Sequence, residues 1–346
     1  MTSRLFTACV CTLFATCLGP ATANAEELPP LRDVEVQSSL DGQPQPCRVW
    51  APEGAATTKT PLLIFLHSWS GDYRQDNRKW LEQAVDRDWI YLHPNFRGRN
   101  DDPQACGSPL ARQDVLDALD WAFEHYQVDP ARVYLAGTSG GGHMAMLMAA
   151  RHGERFSAVS AWVGISDLAQ WYRFHSRPNK LGNAEPGNYA KMVAACCGGA
   201  PGESAAIDQQ YRDRSSIYWL QDAGDLPLDL NAGVTDGKTG SVPFTHTLRA
   251  FNEVAAAGGY ATVSKAEMDQ LWQHGRLEKP QPQDTAEDAS FGRAIHLRRH
   301  AGPARVTIFE GGHEGLPIPA CDWLERQRRE VPVPATSEEV PSAAAR

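Results

Sequence analysis

The stretch Arg132-Val133-Tyr134-Leu135-Ala136-Gly137-Thr138-Ser139-Gly140-Gly141-Gly142-His143-Met144 decides how the rest of the chain is read. An apolar, β-favouring run (Val133 to Ala136) stops at a glycine cluster, and a helix-favouring run (His143 to Ala150) begins at once. Between them Gly137-Thr138-Ser139-Gly140-Gly141 fits G-x-S-x-G. A serine at a sharp strand-to-helix turn is held in strained backbone geometry, and its flanking glycines avoid Cβ clashes where strand meets helix. The hydroxyl then stands exposed at the top of a sheet, and the Gly140 N–H, at the helix N-terminus, faces a developing oxyanion. The pattern alone is common, so its meaning rests on whether the chain also supplies a base, an acid and a second oxyanion donor.

Working outward, the chain of 346 residues has room for one large α/β domain with insertions. The apolar run at 61–66 (Pro-Leu-Leu-Ile-Phe-Leu) reads as a strand buried on both faces. Further strands are expected at 33–38 and 47–51 (a hairpin across Asp41-Gly42), 89–92, 158–164, 226–231 and 305–309. Helices are expected at 78–87, 111–125, 245–257 and 320–329. Such alternation predicts a mainly parallel central sheet with helices on both faces. The segment 168–224 breaks the rhythm and reads as a helical insertion over the site, following the strand after the nucleophile helix. The segment 265–300 reads as a charged excursion, with a polar Pro/Gln/Asp stretch at 279–288.

The ends have their own signals. Arg4, an apolar run from Leu5 to Leu18 and Ala23-Asn24-Ala25 form a secretory signal peptide over 1–25, which implies export to a periplasm or beyond. The mature domain is expected over 26–330 and a disordered tail over 331–346. No later run suits a membrane span. Three of the eight cysteines leave with the signal; Cys47, Cys106, Cys196, Cys197 and Cys321 remain, with their pairing open and no zinc-like spacing among them. A formal charge of −9 without a basic stripe argues against a nucleic-acid partner. No cofactor is implied, and the expected partner is a small-molecule or short-peptide substrate.

A serine hydroxyl needs a base to take its proton, and the base needs an orienting carboxylate. His313, in Gly311-Gly312-His313-Glu314-Gly315 directly after the last strand, is the candidate base, and its loop is free to set an imidazole over Ser139. His246 suits solvent or packing, His143 braces the turn one helical turn after Ser139, and His67 shapes the loop after the 61–66 strand. Asp236, in Gly233-Val234-Thr235-Asp236-Gly237 after the penultimate strand, is the candidate acid, with Asp167 as runner-up. The chain order is then Ser139, Asp236, His313. The second oxyanion donor is expected in His67-Ser68-Trp69-Ser70-Gly71, at the backbone N–H of Trp69 ahead of that of Ser68. Trp171 and Tyr172 of the insertion are candidate pocket residues, although packing the insertion onto the sheet explains these aromatics equally well.

Taken together, the 67–71 loop, Asn95-Phe96-Arg97-Gly98, the 137–141 turn, the Asp236 loop running to Val242-Pro243 and Gly312-His313 resemble the α/β-hydrolase superfamily. Within it, they are similar to the prolyl oligopeptidase-type catalytic domain and its esterase relatives, over most of the mature chain. The resemblance implies a serine hydrolase cleaving ester or peptide bonds through an acyl-enzyme. The alternatives are a carbohydrate or acyl esterase on the same fold, acyl transfer to an acceptor other than water, or a non-catalytic binding protein. Two departures stand out. No propeller precedes the catalytic part, and the Asp236 loop is longer before Val242 than the usual Asp-x-x-Val.

Overall fold

A run of seven residues, each buried, anchors the molecule: Thr60–Leu66, the strand read from its unbroken apolar sequence. The computed structural model describes residues 28–178 and 184–331. The expected signal peptide and all but the first residue of the expected tail lie outside the described residues. Along the chain run β1 (Arg32–Gln37), β2 (Pro44–Trp50), β3 (Thr60–Leu66), α1 (Arg78–Val85), β4 (Ile90–Pro94), α2 (Pro109–His125), β5 (Val128–Thr138), α3 (Gly140–His152) and β6 (Ala158–Trp162). Within 168–224 lie α4 (Leu168–His175), a small hairpin of β7 (Ser176–Pro178) and β8 (Ala184–Pro186), α5 (Asn188–Cys197) and α6 (Ala205–Asp213). The chain then returns through β9 (Leu228–Gly233), α7 (Thr245–Ala257), α8 (Lys265–His274), β10 (Ile295–Ala301), β11 (Ala304–Phe309) and α9 (Pro317–Glu325).

Nine strands form one sheet in the order β1-β2-β4-β3-β5-β6-β9-β11-β10. The six from β4 to β11 run parallel; β1 and β2 at one edge and β10 at the other are antiparallel. Helices cover both faces, which explains why β3, β4, β6 and β9 are buried along their whole length. Parallel strands put all their carboxyl ends on one side of the sheet, and loops there are where such folds bind ligands. Ser139, Asp236 and His313 follow β5, β9 and β11, so the topology alone carries them to that edge.

The charged excursion expected at 265–300 is more ordered than its composition suggests. It holds α8, opened by a capping box between Ser264 and Glu267, and the edge strand β10. Two arginines in mid-strand hid β10 from the sequence. Both side chains are nearly buried, yet both are paired: Arg298 with Asp288 at 3.0 Å and with the Thr307 hydroxyl at 3.2 Å, Arg299 with Glu267 at 2.9 Å and with Asp284. Two of the three acidic partners, Asp284 and Asp288, come from the polar stretch at 279–288, where Asp284 is fully buried; the third, Glu267, lies in the first turn of α8. The helical reading of 168–224 also needs amendment, since the β7–β8 hairpin interrupts its helices.

Candidate active site

Ser139 sits between β5 and α3 at φ 61° and ψ −115°, a conformation that costs an L-residue of order 1–3 kcal/mol. The surrounding bonds hold it there: its N–H donates to the Trp162 carbonyl at 2.9 Å, and its own carbonyl accepts from the His143 N–H at 2.8 Å. The residue is 9% exposed, not sealed inside the core. His313 Nε2 lies 2.8 Å from Ser139 Oγ, and His313 Nδ1 lies 2.8 Å from Asp236 Oδ2. A carboxylate oxygen only accepts, so Nδ1 carries the proton and Nε2 is left to accept from the serine hydroxyl. Asp236 is fully buried, and its second oxygen accepts from the N–H groups of Gly237 at 2.9 Å and Val242 at 3.2 Å. The structure therefore brings Ser139, His313 and Asp236 into one hydrogen-bonded chain from three loops spread over 174 residues.

The oxyanion side is built by close backbone approach. A Cβ on Gly140 would meet the Trp69 amide nitrogen at 2.3 Å, so the absence of a side chain there lets the loop after β3 reach the start of α3. The Ser68 N–H donates to Gln75 Oε1 at 2.9 Å, whereas the Trp69 backbone nitrogen lies against Gly140. The Trp69 carbonyl accepts from the Asn100 N–H at 2.9 Å, fixing the loop from behind.

The other histidines do structural work. His246 is fully buried within α7, with Nδ1 3.4 Å from Ser166 Oγ, and burial pushes it down to about 3. Of the two roles expected for it, packing is the one it has. His143 is buried behind Trp69, hydrogen-bonded to the Ile165 carbonyl at 2.9 Å, and burial holds it at about 4. His67 stacks on Phe96 at 3.9 Å with its two ring nitrogens 3.0 Å from the Ser68 carbonyl and 2.8 Å from that of Asn95; burial lowers it, and the neutral ring donates to one of the two. Asp167, the alternative acid, caps α4 by accepting from the Gln170 N–H at 2.9 Å and faces Arg249 at 3.5 Å rather than His313. Asp229 is buried in β9 against Arg305 at 2.6 Å and Ser160 at 2.8 Å.

Trp171 and Tyr172 part company. Trp171 is buried, edge-on to Trp69 with ring centroids 4.7 Å apart, and its Nε1 donates to the Ser241 carbonyl at 2.8 Å. Tyr172 turns away, toward Tyr211 of α6 inside the insertion. His175, one turn further along α4, shares Trp171's target: its Nε2 also reaches the Ser241 carbonyl at 2.8 Å. Neither His175 nor Ser241 was picked out from sequence; the i, i+4 spacing of Trp171 and His175 is the one signal that places them on a common face. Among the described residues the five cysteines are buried and unpaired, with the Cys106 thiol against that of Cys196 and Cys321 in a separate region of the core. Among the described residues no cluster of His, Cys, Asp or Glu is arranged to hold a metal ion, and no helix is long and apolar enough to cross a membrane.

Comparison with known proteins points to the same fold. Residues 77–194 match the model of the prolyl oligopeptidase family. Acetyl xylan esterase from Paenibacillus sp. R4 superimposes with a TM-score of 0.55 at 18% identity, over 86% of this chain and 84% of that one. The chain has the α/β-hydrolase fold, and its similarity to the prolyl oligopeptidase family lies in residues 77–194. Acylaminoacyl peptidase of Pyrococcus horikoshii shares the fold with a TM-score of 0.50 at 17% identity, over 66% of this chain and 35% of that one. In sequence, acetylxylan esterase A of Emericella nidulans is 37% identical over 51 residues, 15% of this chain and 17% of that protein. The chain thus spans less than a fifth of the length of the curated relatives it matches.

Proposed function

We propose that this protein is a secreted serine hydrolase that cleaves carboxylic esters, with acylated carbohydrate as its substrate class. The observation that carries the hydrolase reading is the chain Ser139 Oγ to His313 Nε2 to Asp236, 2.8 Å at each link, beside two backbone N–H groups. Ser139 attacks the acyl carbonyl as His313 takes its proton. Asp236 fixes the imidazole tautomer and stabilises the imidazolium, while the N–H groups of Gly140 and Trp69 hold the oxyanion. Loss of the leaving group gives an acyl-enzyme, which water hydrolyses by the same route in reverse.

The ester reading draws on the acetylxylan esterase among the sequence relatives and on the esterase that this chain matches along most of both lengths. A second reading, peptide hydrolysis, is favoured by the family match over 77–194. Export rests on the segment 1–25 of the sequence. One preparation assayed on acetylated xylo-oligosaccharides, short-chain acyl esters and aminoacyl anilides separates the substrate readings. Turnover of the anilides alone would refute the ester reading. A fluorophosphonate probe should label wild type and fail to label Ser139→Ala at unchanged thermal midpoint. A folded wild type that does not label would sink the hydrolase reading.

A further inference from the structure

The loop between Asp236 and Val242 carries a hydroxyl that the triad does not use. Ser241 Oγ lies 3.4 Å from His313 Nε2, the same nitrogen that faces Ser139 Oγ at 2.8 Å. The residue is held at this position from two sides. From the insertion, Trp171 Nε1 and His175 Nε2 both donate to the Ser241 carbonyl at 2.8 Å, so α4 pins its backbone. From the triad, Gly240 packs so closely that a Cβ there would lie 2.2 Å from Asp236 Oδ1 and 2.6 Å from His313 Cβ. The loop is pressed onto the Asp236–His313 pair and clamped in place.

We propose that Ser241 is a positioning residue for the second half of the proton shuttle, the transfer from His313 to the leaving group, and that α4 holds it in register. This rests on the hydrolase reading above. When Ser139 Oγ bonds to the acyl carbon, its proton moves to His313 Nε2 and the carbonyl π pair moves onto oxygen. Collapse returns that pair, breaks the bond from the acyl carbon to the leaving-group oxygen, and passes the proton from Nε2 to that oxygen. Between the two transfers Nε2 has changed from acceptor to donor, while Ser139 Oγ is esterified and accepts poorly.

A hydroxyl suits both states, because it has one rotatable O–H and two lone pairs. In the neutral ring the single Nε2 lone pair accepts from the Ser139 hydroxyl and the Ser241 O–H turns elsewhere, while in the charged ring the Ser241 oxygen accepts from the Nε2 N–H without moving. At 3.4 Å the resting contact is long for a hydrogen bond. It strengthens when the ring is charged, since charge-assisted bonds are shorter and stronger. In that state it keeps the imidazolium from returning its proton to Ser139 and leaves it to the departing oxygen.

The consequence is dependence on the leaving group. Alkoxides, sugar alkoxides included, must be protonated to depart, whereas p-nitrophenolate and fluoride leave without a proton. The experiment measures kcat/KM for wild type, Ser241→Ala and Ser241→Thr on a p-nitrophenyl ester and on an alkyl ester of the same acyl group, alongside the rate of fluorophosphonate labelling. For Ser241→Ala, the loss of one hydrogen bond to a charged group predicts a fall of about 10- to 100-fold on the alkyl ester. Labelling and p-nitrophenyl turnover should stay within about threefold of wild type, less than the loss of a single neutral hydrogen bond. Ser241→Thr, which keeps the hydroxyl, should recover most of the alkyl-ester rate. Equal losses on both esters would show a merely structural role and overturn the proposal, as would no loss on either. Failure of wild type to label at all would remove the hydrolase reading instead, so the two failures are distinguishable.

Discussion

Asp236→Asn tests the assignment of the acid most directly, because the surroundings decide which way an amide would sit. In the native site Asp236 Oδ1 accepts from two backbone N–H groups, those of Gly237 and Val242, and Oδ2 faces His313 Nδ1 at 2.8 Å. An asparagine has one acceptor oxygen and one donor NH2. Placing the NH2 against two N–H donors would leave three buried donors facing one another, each unmet donor costing about 1–3 kcal/mol. The oxygen therefore stays with the amides and the NH2 turns to His313. Nδ1 must then accept, the ring proton moves to Nε2, and Nε2 can no longer take the Ser139 proton. The wrong tautomer predicts a fall in kcat of about 10⁴-fold, as for the equivalent substitution in other Ser-His-Asp hydrolases. The assay is turnover of a short-chain ester, with thermal unfolding to show that the fold is kept. Asp167→Asn serves as the control and should leave kcat within about threefold, since it loses the charge on a helix cap and its ion pair with Arg249, neither of which touches His313. A kcat for Asp236→Asn within tenfold of wild type, or a larger loss for Asp167→Asn, would refute the reasoning.

Three further outcomes follow from contacts of the same kind. Gly140→Ala would drive a methyl into the Trp69 backbone, separating the two oxyanion donors; kcat should fall by about 10²–10³-fold, and unchanged kcat would place the oxyanion site elsewhere. Arg305→Met strands the fully buried Asp229 carboxylate and should cost about 3–5 kcal/mol in urea unfolding, whereas the double variant Asp229→Asn with Arg305→Met should recover part of that loss. Burial holds His93, His143 and His246 neutral at about 3, about 4 and about 3. Their folded values lie below the unfolded one, so as pH falls through 6.5 the unfolded chain binds protons that the folded chain refuses. Each such histidine should cost about 2 kcal/mol of stability between pH 6.5 and 5. Urea midpoints measured across that range should drop steadily, and a flat profile would contradict the burial of these rings.

The fold was legible wherever local pattern and tertiary environment agree. β3 is buried on both faces and reads as an unbroken apolar run; α7 was read at its observed bounds, Thr245–Ala257, from its periodicity. β10 was not legible, because Arg298 and Arg299 look like surface residues until Asp288, Glu267 and Asp284 are placed beside them. The same holds in the site. Ser139, Asp236 and His313 each follow a strand and sit in a glycine-containing loop, so sequence position alone nominates them. The choice between Trp69 and Ser68 as oxyanion donor turns on the approach of the Trp69 backbone to Gly140 and on the Gln75 side chain, which no spacing rule predicts. Trp171 and Tyr172 are adjacent in sequence and equally aromatic, yet only the structure shows that one meets the oxyanion loop while the other faces Tyr211.

Two features that looked separate in the sequence meet at a single atom. One is the insertion over 168–224. The other is the loop Asp236-Gly237-Lys238-Thr239-Gly240-Ser241-Val242, longer than the Asp-x-x-Val of the family that the sequence resembles. Gly240 has no side chain to keep the loop off Asp236, and Ser241 offers its carbonyl to Trp171 and His175 of the insertion and its hydroxyl to His313. The insertion is therefore linked to the imidazole through the Ser241 peptide unit. Substitutions at Trp171 or His175 are then expected to change the leaving-group dependence of kcat/KM as Ser241→Ala does, and not merely the affinity for substrate.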